Sequence, residues 1–186
     1  MIAGIVLAAG ESARLGHPKQ LAVHEGRTLL RRTVDAALGA ACDPLIVVLG
    51  AHADRIEGEL KGLPVERTVN PSWSEGMSGS IRAGIDALGS RPVDGVLLMT
   101  CDQLHIDDAI LRRLCETFDG KPGRMVACAY ADTVGVPALF ESSLFGELRN
   151  LHGDRGAKQL LLDRPDDLVT IPWPNGNQDV DYSKTQ

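Results

Sequence analysis

Short apolar runs alternate along the chain with longer segments whose apolar residues recur every three or four positions. The runs are mostly rich in Val, Ile and Leu, as buried strands are. They cover residues 2–8, 44–50, 64–69, 94–100 and 124–130. The intervening segments have the spacing of amphipathic helices and cover residues 27–41, 52–61, 77–89 and 106–118. This alternation predicts an α/β fold, with a mainly parallel sheet and helices on both of its faces.

Two polar features follow strands of this sheet. The sequence AAGESARLGHPK begins at the end of the first strand and forms the loop that follows it. Asp102 comes just after the strand at 94–100. Ligands of open α/β sheets bind at the carboxyl ends of the strands, so we expect both features at one ligand crevice. No internal repeat is visible, and the segment from Pro172 onwards is loop-like. We therefore expect residues 1–186 to form a single domain.

Composition and charge narrow the classes of function. The chain has 186 residues, of which 44% are hydrophobic and 24% charged, which is enough for one well-buried core. Its formal net charge of −6 argues against broad binding to nucleic acid or to anionic membranes, because such binding requires a basic surface. The sequence has no basic leader and no apolar stretch near the length of a membrane span, so we expect a cytoplasmic protein.

The residues that most often bind metals show no metal-binding pattern. The four cysteines, Cys42, Cys101, Cys115 and Cys128, form no Cys-x-x-Cys pair and no zinc-ligand spacing with histidine. We predict reduced and mostly buried thiols. The five histidines have no paired spacing either, so we interpret each as structural or exposed rather than as a ligand.

The loop after the first strand has the residues of an anion-binding site. Its glycine and lysine spacings are those of neither a P-loop nor a GxGxxG turn. Ala8, Ala9 and Gly10 nevertheless keep the side chains small where backbone N–H groups can approach a ligand, while Arg14 and Lys19 supply positive charge. A solvated surface loop is the alternative. The loop is longer than the roughly two to six residues of most such connections, and this length favours function.

Residues 7–21, LAAGESARLGHPKQL, match every fixed position of the pattern L-A-[AG]-G-x-S-x-R-[ML]-G-x-x-K. The chain thereby resembles the MobA-like nucleotidyltransferases. Three further segments resemble one branch of that family, the molybdenum cofactor cytidylyltransferases. They are NPSWSEGMSGSIRAGI at 70–85, MTCDQLH at 99–105 and LHGDRGAKQLL at 151–161.

The chain departs from the pattern of that branch at three places. Leu104 stands where the D-Q-P turn has proline, and TVGVP at 133–137 lacks the Arg and His of an R-G-H-P segment. The closing D-I-D-T-P-E-D reads DVDYSKT at 179–185. These changes lie towards the acceptor side and the tail, so they bear on the acceptor more than on the nucleotide.

The resemblance implies a three-layer, Rossmann-like nucleotidyltransferase fold of the GT-A type, whose N-terminal part binds the nucleotide and whose C-terminal part binds the acceptor. It also implies transfer of the cytidylyl group of CTP to the terminal phosphate of a molybdopterin-type molybdenum cofactor, with release of pyrophosphate. The attacking phosphate is already an anion. The site therefore needs alignment and charge neutralisation rather than a serine triad or a strong base.

The resemblance also implies roles for single residues, and it makes Arg14, Lys19 and Asp102 catalytic. The implied nucleotide-binding residues are Leu7, Ala8, Ala9, Gly10, Arg14, Lys19, Asn70, Ser78 and Ser80. Asp102 would bind Mg²⁺, with Mn²⁺ as an alternative. Asp181 would be the second metal ligand, although Asp179 lies on the same side of an extended chain. Helix capping is the alternative role of Asp102, Ser78 and Ser80.

On the acceptor side, the implied binding residues are Arg82, Asp154, Arg155 and Lys158. Arg82 faces either the acceptor phosphate or solvent, and the turn at 153–156 suits helix capping as well as acceptor binding. We interpret Trp73 as a packing anchor rather than as a stacking platform, because only 4% of the residues are aromatic.

Three hypotheses about function remain. The first is a CTP-dependent molybdenum cofactor cytidylyltransferase, with an apo-molybdoenzyme or its maturation chaperone as a protein partner. The second is a related enzyme that uses GTP, or that has a sugar or polyol phosphate as acceptor. The third is a relative that binds a nucleotide or delivers the cofactor without turnover.

Overall fold

A computed structural model describes residues 1–12, 16–153 and 156–178 of the chain. The strands are β1 (Ile2–Ala8), β2 (Val23–His24), β3 (Arg27–Thr28), β4 (Leu45–Leu49), β5 (Glu66–Val69), β6 (Gly95–Thr100), β7 (Met125–Tyr130), β8 (Thr133–Glu141) and β9 (Leu168–Pro172). The α-helices are α1 (Leu29–Gly39), α2 (Ala53–Ile56), α3 (Met77–Leu88), α4 (Asp108–Thr117), α5 (Phe145–Arg149) and α6 (Lys158–Asp163). Short 3-10 helices cover Lys19–Leu21, Glu57–Leu60, Trp73–Glu75, Ser142–Leu144 and Pro165–Asp167.

Within the described ranges, seven strands form one sheet in the order β5-β4-β1-β6-β8-β7-β9. β1 is parallel to both of its neighbours, β4 and β6, and β5 extends the parallel part beyond β4. β8 runs antiparallel to β6 and β7, and β9 is parallel to β7. β2 and β3 form a separate antiparallel hairpin. The prediction of an α/β fold with a mainly parallel sheet is confirmed.

Helices pack on both faces of the sheet, and β1 shows why the apolar run in the sequence is continuous. Val6 and Ala8 belong to one apolar cluster, together with residues of α1 and α4. Ile5 and Leu7 belong to a second cluster, together with residues of α3, α5 and α6. Successive residues of a strand point to opposite faces, so a strand that is buried on both faces has no polar positions to alternate with.

The five strands predicted from the apolar runs are present, and the pattern missed β8 and β9 of the seven-stranded sheet and the short strands β2 and β3. β8 contains Gly135 and Pro137, which usually indicate a turn. The register shifts at this point, because Ala127 pairs with Ala138 whereas the next residue, Cys128, pairs with Gly135. Pro137 lies in the resulting bulge, where its missing N–H removes no hydrogen bond from the ladder. A proline in a bulge therefore does not end the strand.

The predicted helices are also present, with one difference. The segment 52–61 is the short helix α2 followed by the 3-10 helix Glu57–Leu60 rather than one helix. Helix α4 is capped by Asp107, whose Oδ1 accepts a hydrogen bond from the backbone N–H of Ile110 at 2.9 Å. No helix in the described part of the chain is long and apolar enough to cross a membrane. The four thiols are free, and all except Cys115 are buried, as predicted.

Helix α3 packs closely on β1 at Gly84. A Cβ atom at this position would lie 2.7 Å from Cγ2 of Ile5 and 3.2 Å from Cγ2 of Val48. Both side chains are completely buried, so neither can move away. We expect Gly84→Ala to lower the free energy of unfolding by about 1 kcal/mol, because overpacking of a core outweighs the better helix propensity of alanine. Urea denaturation measures this change.

Gly146 provides a matched control in α5, since a Cβ atom there meets nothing within 4 Å. Gly146→Ala should raise the free energy of unfolding by up to about 1 kcal/mol, as alanine does in exposed helices. Equal effects of the two substitutions would contradict the close packing of α3 on β1.

Candidate functional site

A cavity of about 410 Å³ lies at the carboxyl ends of β1 and β6. Its lining comes from the loop after β1, from the segment that leads into α3 and from the end of β6. The lining residues are Leu7, Ala9, Gly10, Glu11, Lys19, Gln20, Trp73, Ser74, Gly76, Met77, Ser80, Thr100, Cys101 and Asp102. The cavity is thus where the sheet topology predicts a ligand site, and it brings together the loop and Asp102 as expected.

The loop after β1 is held in place by a buried glutamine. Gln20 is only 1% exposed, and its Nε2 donates hydrogen bonds to the carbonyl oxygens of Ala8 at 3.0 Å and Gly10 at 2.8 Å. The Oγ of Ser12 donates to Oε1 of Gln20 at 3.4 Å and accepts from the backbone N–H of Lys19 at 2.9 Å. These bonds fix the start of the loop against its end. Gln20 was not among the predicted site residues, and its only signal in the sequence is its place directly after Lys19.

Lys19 and Asp102 form an ion pair that joins the loop to the end of β6. Nζ of Lys19 lies 2.5 Å from Oδ2 of Asp102, and the two side chains are 30% and 23% exposed. Burial acts to raise the pKa of Asp102, but the Lys19 ammonium and hydrogen bonds from Lys19 and Thr100 outweigh it and hold that pKa below 3.8. The carboxylate is therefore ionised at neutral pH. Since Asp107 caps α4, Asp102 is not needed as a cap.

The segment before α3 is organised around Asn70, which is buried but is not among the residues that line the cavity. Its Nδ2 donates to Oγ of Ser80 at 3.1 Å, and its Oδ1 accepts from the backbone N–H of Ser72 at 3.0 Å. Ser80 lines the cavity, whereas Ser78 is buried and does not. Neither serine caps α3, whose N-cap residue is Gly76. Asn70 thus positions Ser80 through its carboxamide.

Trp73 combines the packing role that we expected with a place in the cavity wall. It is partly buried and packs against the apolar cluster that contains Ile5 and Leu7. A Cβ atom at Gly50 would lie 2.7 Å from both the Cβ of Trp73 and the Cβ of Ala9, so a glycine is required where these two parts of the wall meet. Trp73 therefore connects the wall of the cavity to the core.

Arg82 binds two backbone carbonyl groups near the end of α5. Its Nε donates to the carbonyl oxygen of Arg149 at 2.9 Å, and its Nη2 donates to that of Leu151 at 3.1 Å. The carbonyl groups at a helix C-terminus have no partner within the helix, and an arginine commonly binds them. Arg82 therefore holds the end of α5, and its role in binding an acceptor phosphate stays a prediction.

The other predicted acceptor and metal residues fall into two groups. Lys158 is the exposed first residue of α6 and is not part of the cavity lining. Four residues with predicted roles lie outside the described ranges: Arg14, Asp154, Arg155 and Asp181. Asp179, the alternative to Asp181, lies outside them as well.

Two carboxylates line the described part of the cavity, Glu11 and Asp102, and Asp102 is the one that is paired with Lys19. No group of three or more His, Cys, Asp or Glu side chains that could hold a metal occurs in the described ranges. Mg²⁺, however, is usually bound by only one or two carboxylates together with substrate phosphates and water. The ionised Asp102 fits that donor set. Cys101 does not, because burial raises the pKa of its thiol to about 12.

The fold and the cavity define an α/β protein with a ligand crevice at the carboxyl ends of its strands, and comparison with known proteins places it in a family. Residues 4–168 match the MobA-like NTP transferase domain, and the chain belongs to that family. The initial resemblance is therefore confirmed, as is the nucleotidyltransferase fold. At the level of the family, the protein is a nucleotidyltransferase.

Individual relatives span most of the chain. Nicotine blue oxidoreductase from Paenarthrobacter nicotinovorans is 30% identical over 97% of this chain and 92% of its own length. The crystal structure of Rv0371c from Mycobacterium tuberculosis superposes with a TM-score of 0.80 at 35% identity, over 93% of this chain and 88% of that one. Rv0371c has also been solved in complex with manganese, at 31% identity, a TM-score of 0.80, and coverage of 98% and 96%. A nucleotidyl transferase from Methanothermobacter thermautotroptrophicus has a TM-score of 0.77 at 29% identity, over 92% and 87% of the two chains.

The hydrogen bonds of Gln20 predict a loss of stability when its amide is removed. In Gln20→Met the carbonyl groups of Ala8 and Gly10 lose their donor while the side chain keeps its length. We expect the free energy of unfolding to fall by about 1–3 kcal/mol, which is the cost of leaving buried polar groups without a partner. Urea denaturation provides the measurement. The control is Gln159→Met in α6, where the side chain is partly exposed. This substitution should change the free energy of unfolding by less than about 0.5 kcal/mol.

The ion pair predicts how stability depends on pH. The pKa of Asp102 is lowered in the folded protein, so its ionised form stabilises the fold above about pH 4, and this contribution is lost as the pH falls below 3.8. Lys19→Met keeps the burial and removes the cation, so the pKa of Asp102 should rise. The difference in unfolding free energy between wild type and variant should then be largest at pH 7 and shrink below pH 4. A difference that is constant from pH 7 to pH 3 would contradict this electrostatic role, and the exposed Lys61→Met is the control.

Proposed function

We propose that this protein transfers the cytidylyl group of CTP to the terminal phosphate of a molybdopterin-type molybdenum cofactor and releases pyrophosphate. Its membership of the MobA-like family supports nucleotidyl transfer. The observation that carries the proposal is the Lys19–Asp102 pair, which lies in a cavity at the carboxyl ends of β1 and β6. A lysine and an ionised carboxylate in one cavity are the groups that a triphosphate and its divalent cation require.

In the proposed reaction an oxygen of the acceptor phosphate attacks the α-phosphorus of CTP in line with the leaving group. A new P–O bond forms, the bond between the α-phosphorus and its bridging oxygen breaks, and pyrophosphate leaves with the electron pair. No proton has to be removed from the nucleophile, so a histidine or serine is not needed in the cavity. The protein contributes alignment and charge neutralisation.

The ion pair suggests how Lys19 and Asp102 change partners when the substrate binds. Without substrate, the ammonium of Lys19 keeps Asp102 ionised. When Mg²⁺ or Mn²⁺ is bound it neutralises phosphate charge, and Asp102 would hold it together with Asp181 or Asp179. Lys19 can then leave the carboxylate and donate to a phosphate oxygen, as Arg14 would. The manganese complex of Rv0371c supports the use of a divalent cation.

The preference for CTP rests on the segment 70–85, whose resemblance to the cytidylyltransferase branch is described above. In the structure Trp73, Ser74, Gly76 and Met77 of this segment line the cavity. We propose that this wall contacts the base, while the backbone from Leu7 to Gly10 contacts the phosphates or ribose. The acceptor would bind on the side of α6, where Lys158, Arg155 and Asp154 follow one another closely in the sequence.

A second candidate function comes from the relative that is named nicotine blue oxidoreductase. It matches 97% of this chain at 30% identity, so the same fold and much of the same cavity are expected in it. A reaction of that class would transfer a hydride rather than a nucleotidyl group. It would require a hydride donor such as NADPH in place of the triphosphate, and it would release no pyrophosphate.

The test is to incubate the purified protein with Mg²⁺ or Mn²⁺, purified molybdopterin cofactor and each of CTP, GTP, ATP and UTP in parallel. We expect pyrophosphate with CTP and a pterin product whose mass has increased by one cytidylyl group. Release with GTP alone, or with a sugar or polyol phosphate as acceptor, would replace the proposal by the second hypothesis. Nucleotide binding without any release of pyrophosphate would favour a carrier. Loss of the blue colour in a separate assay with nicotine blue and NADPH would favour the oxidoreductase.

Substitutions in the ion pair test whether Lys19 and Asp102 contribute to the rate of pyrophosphate release. Asp102→Asn and Lys19→Met should each lower kcat/KM for pyrophosphate release by about 10²-fold or more, the usual loss when a group that stabilises transition-state charge is removed. The controls are Asp166→Asn and Lys61→Met, which change exposed side chains outside the cavity lining and should leave kcat/KM within twofold. Full activity of Asp102→Asn would contradict the assignment of the metal ligand.

A further inference from the structure

The segment 50–52, directly after β4, bonds to the loop after β1 at two places. The backbone N–H of Ala51 donates to the carbonyl oxygen of Ala9 at 3.0 Å. Nε2 of His52 lies 3.2 Å from the carbonyl oxygen of Glu11. A carbonyl oxygen only accepts hydrogen bonds, so Nε2 of this imidazole carries the proton and donates it. The chain after β4 therefore holds the loop, although the segment itself does not line the cavity.

With these two bonds, all four carbonyl groups of residues 8–11 have donors, because Gln20 bonds to the other two. In a trans peptide unit the C=O group and the N–H group of the next residue point in opposite directions. A donor that fixes a carbonyl group therefore also fixes the direction of the next N–H group. In the part of the chain that the structure describes, the N–H groups of Gly10, Glu11 and Ser12 donate to no other residue. They can therefore bind an anionic ligand.

His52 has a backbone conformation that residues other than glycine rarely adopt. Its φ is 61° and its ψ is 23°, which is the left-handed region. Residues stay in this region only where the surrounding contacts hold them, and such residues cluster at binding sites. His52 directly precedes α2, but its side chain makes no capping hydrogen bond to that helix. The start of α2 therefore does not account for the imidazole, whose bond is to the loop.

The bond from His52 acts on one particular peptide unit. The carbonyl group of Glu11 and the N–H group of Ser12 belong to this unit, and Glu11 lines the cavity. Ser12 has a positive φ of 59°, and its Oγ accepts from the backbone N–H of Lys19 at 2.9 Å. Rotation of the peptide unit would change the direction of the Ser12 N–H group. The imidazole opposes that rotation from one side, while the bond to Lys19 holds Ser12 from the other.

We propose that His52 is a positioning residue for the triphosphate: by holding the carbonyl oxygen of Glu11, it keeps the N–H group of Ser12 directed at a phosphate oxygen. The proposal rests on the proposed function, because it takes the loop after β1 as the loop that contacts the phosphates. His52 is exposed and lies outside the cavity lining, so it acts through the loop and not on the reacting atoms. A loop that is already ordered loses less conformational freedom when the ligand binds, and this raises the affinity.

The experiment compares His52→Met with His52→Gln. Both new side chains are unbranched at Cβ and replace the ring, and neither residue relieves the left-handed backbone as glycine would. Only glutamine keeps an N–H donor at about the distance of Nε2 from the backbone. Binding of CTP and of inorganic tripolyphosphate, each with Mg²⁺, is measured by calorimetric titration. We expect His52→Met to raise both dissociation constants about three- to tenfold, as the loss of one hydrogen bond does, and His52→Gln to restore them towards the wild-type values.

The melting temperature separates positioning from a purely structural role. A substitution that only destabilised the fold would lower the melting temperature and weaken binding in both variants alike. Equal affinities of His52→Met and His52→Gln would therefore overturn the proposal. A loss for CTP without a loss for tripolyphosphate would overturn it as well, because tripolyphosphate has only phosphates with which to contact the loop. The control is His24→Met in the hairpin of β2 and β3, outside the cavity lining, which should leave both dissociation constants unchanged.

Failure of the proposed function gives a different pattern. If the wild-type protein binds CTP and tripolyphosphate but forms no cytidylyl product, the proposed reaction fails and the comparison of affinities still decides the role of His52. If the wild-type protein forms the product and the two variants bind alike, the role of His52 fails alone. If the wild-type protein binds neither ligand, the role of His52 is overturned together with the proposed function.

Discussion

The ion pair between Lys19 and Asp102 is the contact on which the cavity depends. It connects the loop after β1 with the end of β6, two parts of the chain that are 83 residues apart in sequence. Parallel pairing of β1 with β6 brings Leu7 opposite Thr100, so the two loops must leave the sheet side by side. The paired charges stabilise each other in a partly buried position where either alone would be costly. They also leave a lysine and an ionised carboxylate at the place where a phosphate and a metal ion are expected.

Several irregular segments are held by side chains that bind backbone carbonyl groups. Gln20 does so for the loop after β1, Gln103 for the bulge of β8 and the segment 173–178, and Arg82 for the end of α5. Irregular segments lack the regular hydrogen-bond ladders of helices and strands, so their buried carbonyls need other donors. Amide and guanidinium groups reach such carbonyls from several residues away. Of these three side chains, Gln20 lines the cavity itself.

The residues predicted to bind the nucleotide come together in the cavity more completely than those predicted to bind the acceptor. The loop after β1, the segment before α3 and Asp102 all contribute to one cavity. The loop matches the pattern of the whole family, and the other two belong to segments that resemble the cytidylyltransferase branch. On the acceptor side, Arg82 binds backbone carbonyls and Lys158 lies outside the cavity lining. Members of this family that share the fold carry names as different as nucleotidyl transferase and oxidoreductase. The reaction therefore depends on particular side chains around a common sheet.

The sequence by itself determined the alternation of strands and helices, the parallel part of the sheet and the location of the ligand crevice, because these follow from apolar periodicity and from the rule for the carboxyl ends of strands. It also identified Lys19 and Asp102, which lie in a recognisable pattern. Only the tertiary structure decided that β8 continues through Pro137, since a bulge is defined by the partner strand and not by local residues. The partners of Gln20, Asn70, Gln103 and Arg82 likewise lie in other segments, ten or more residues away in most cases. Hydrogen bonds of this kind depend on which loops the sheet places side by side, and local sequence carries no record of that arrangement.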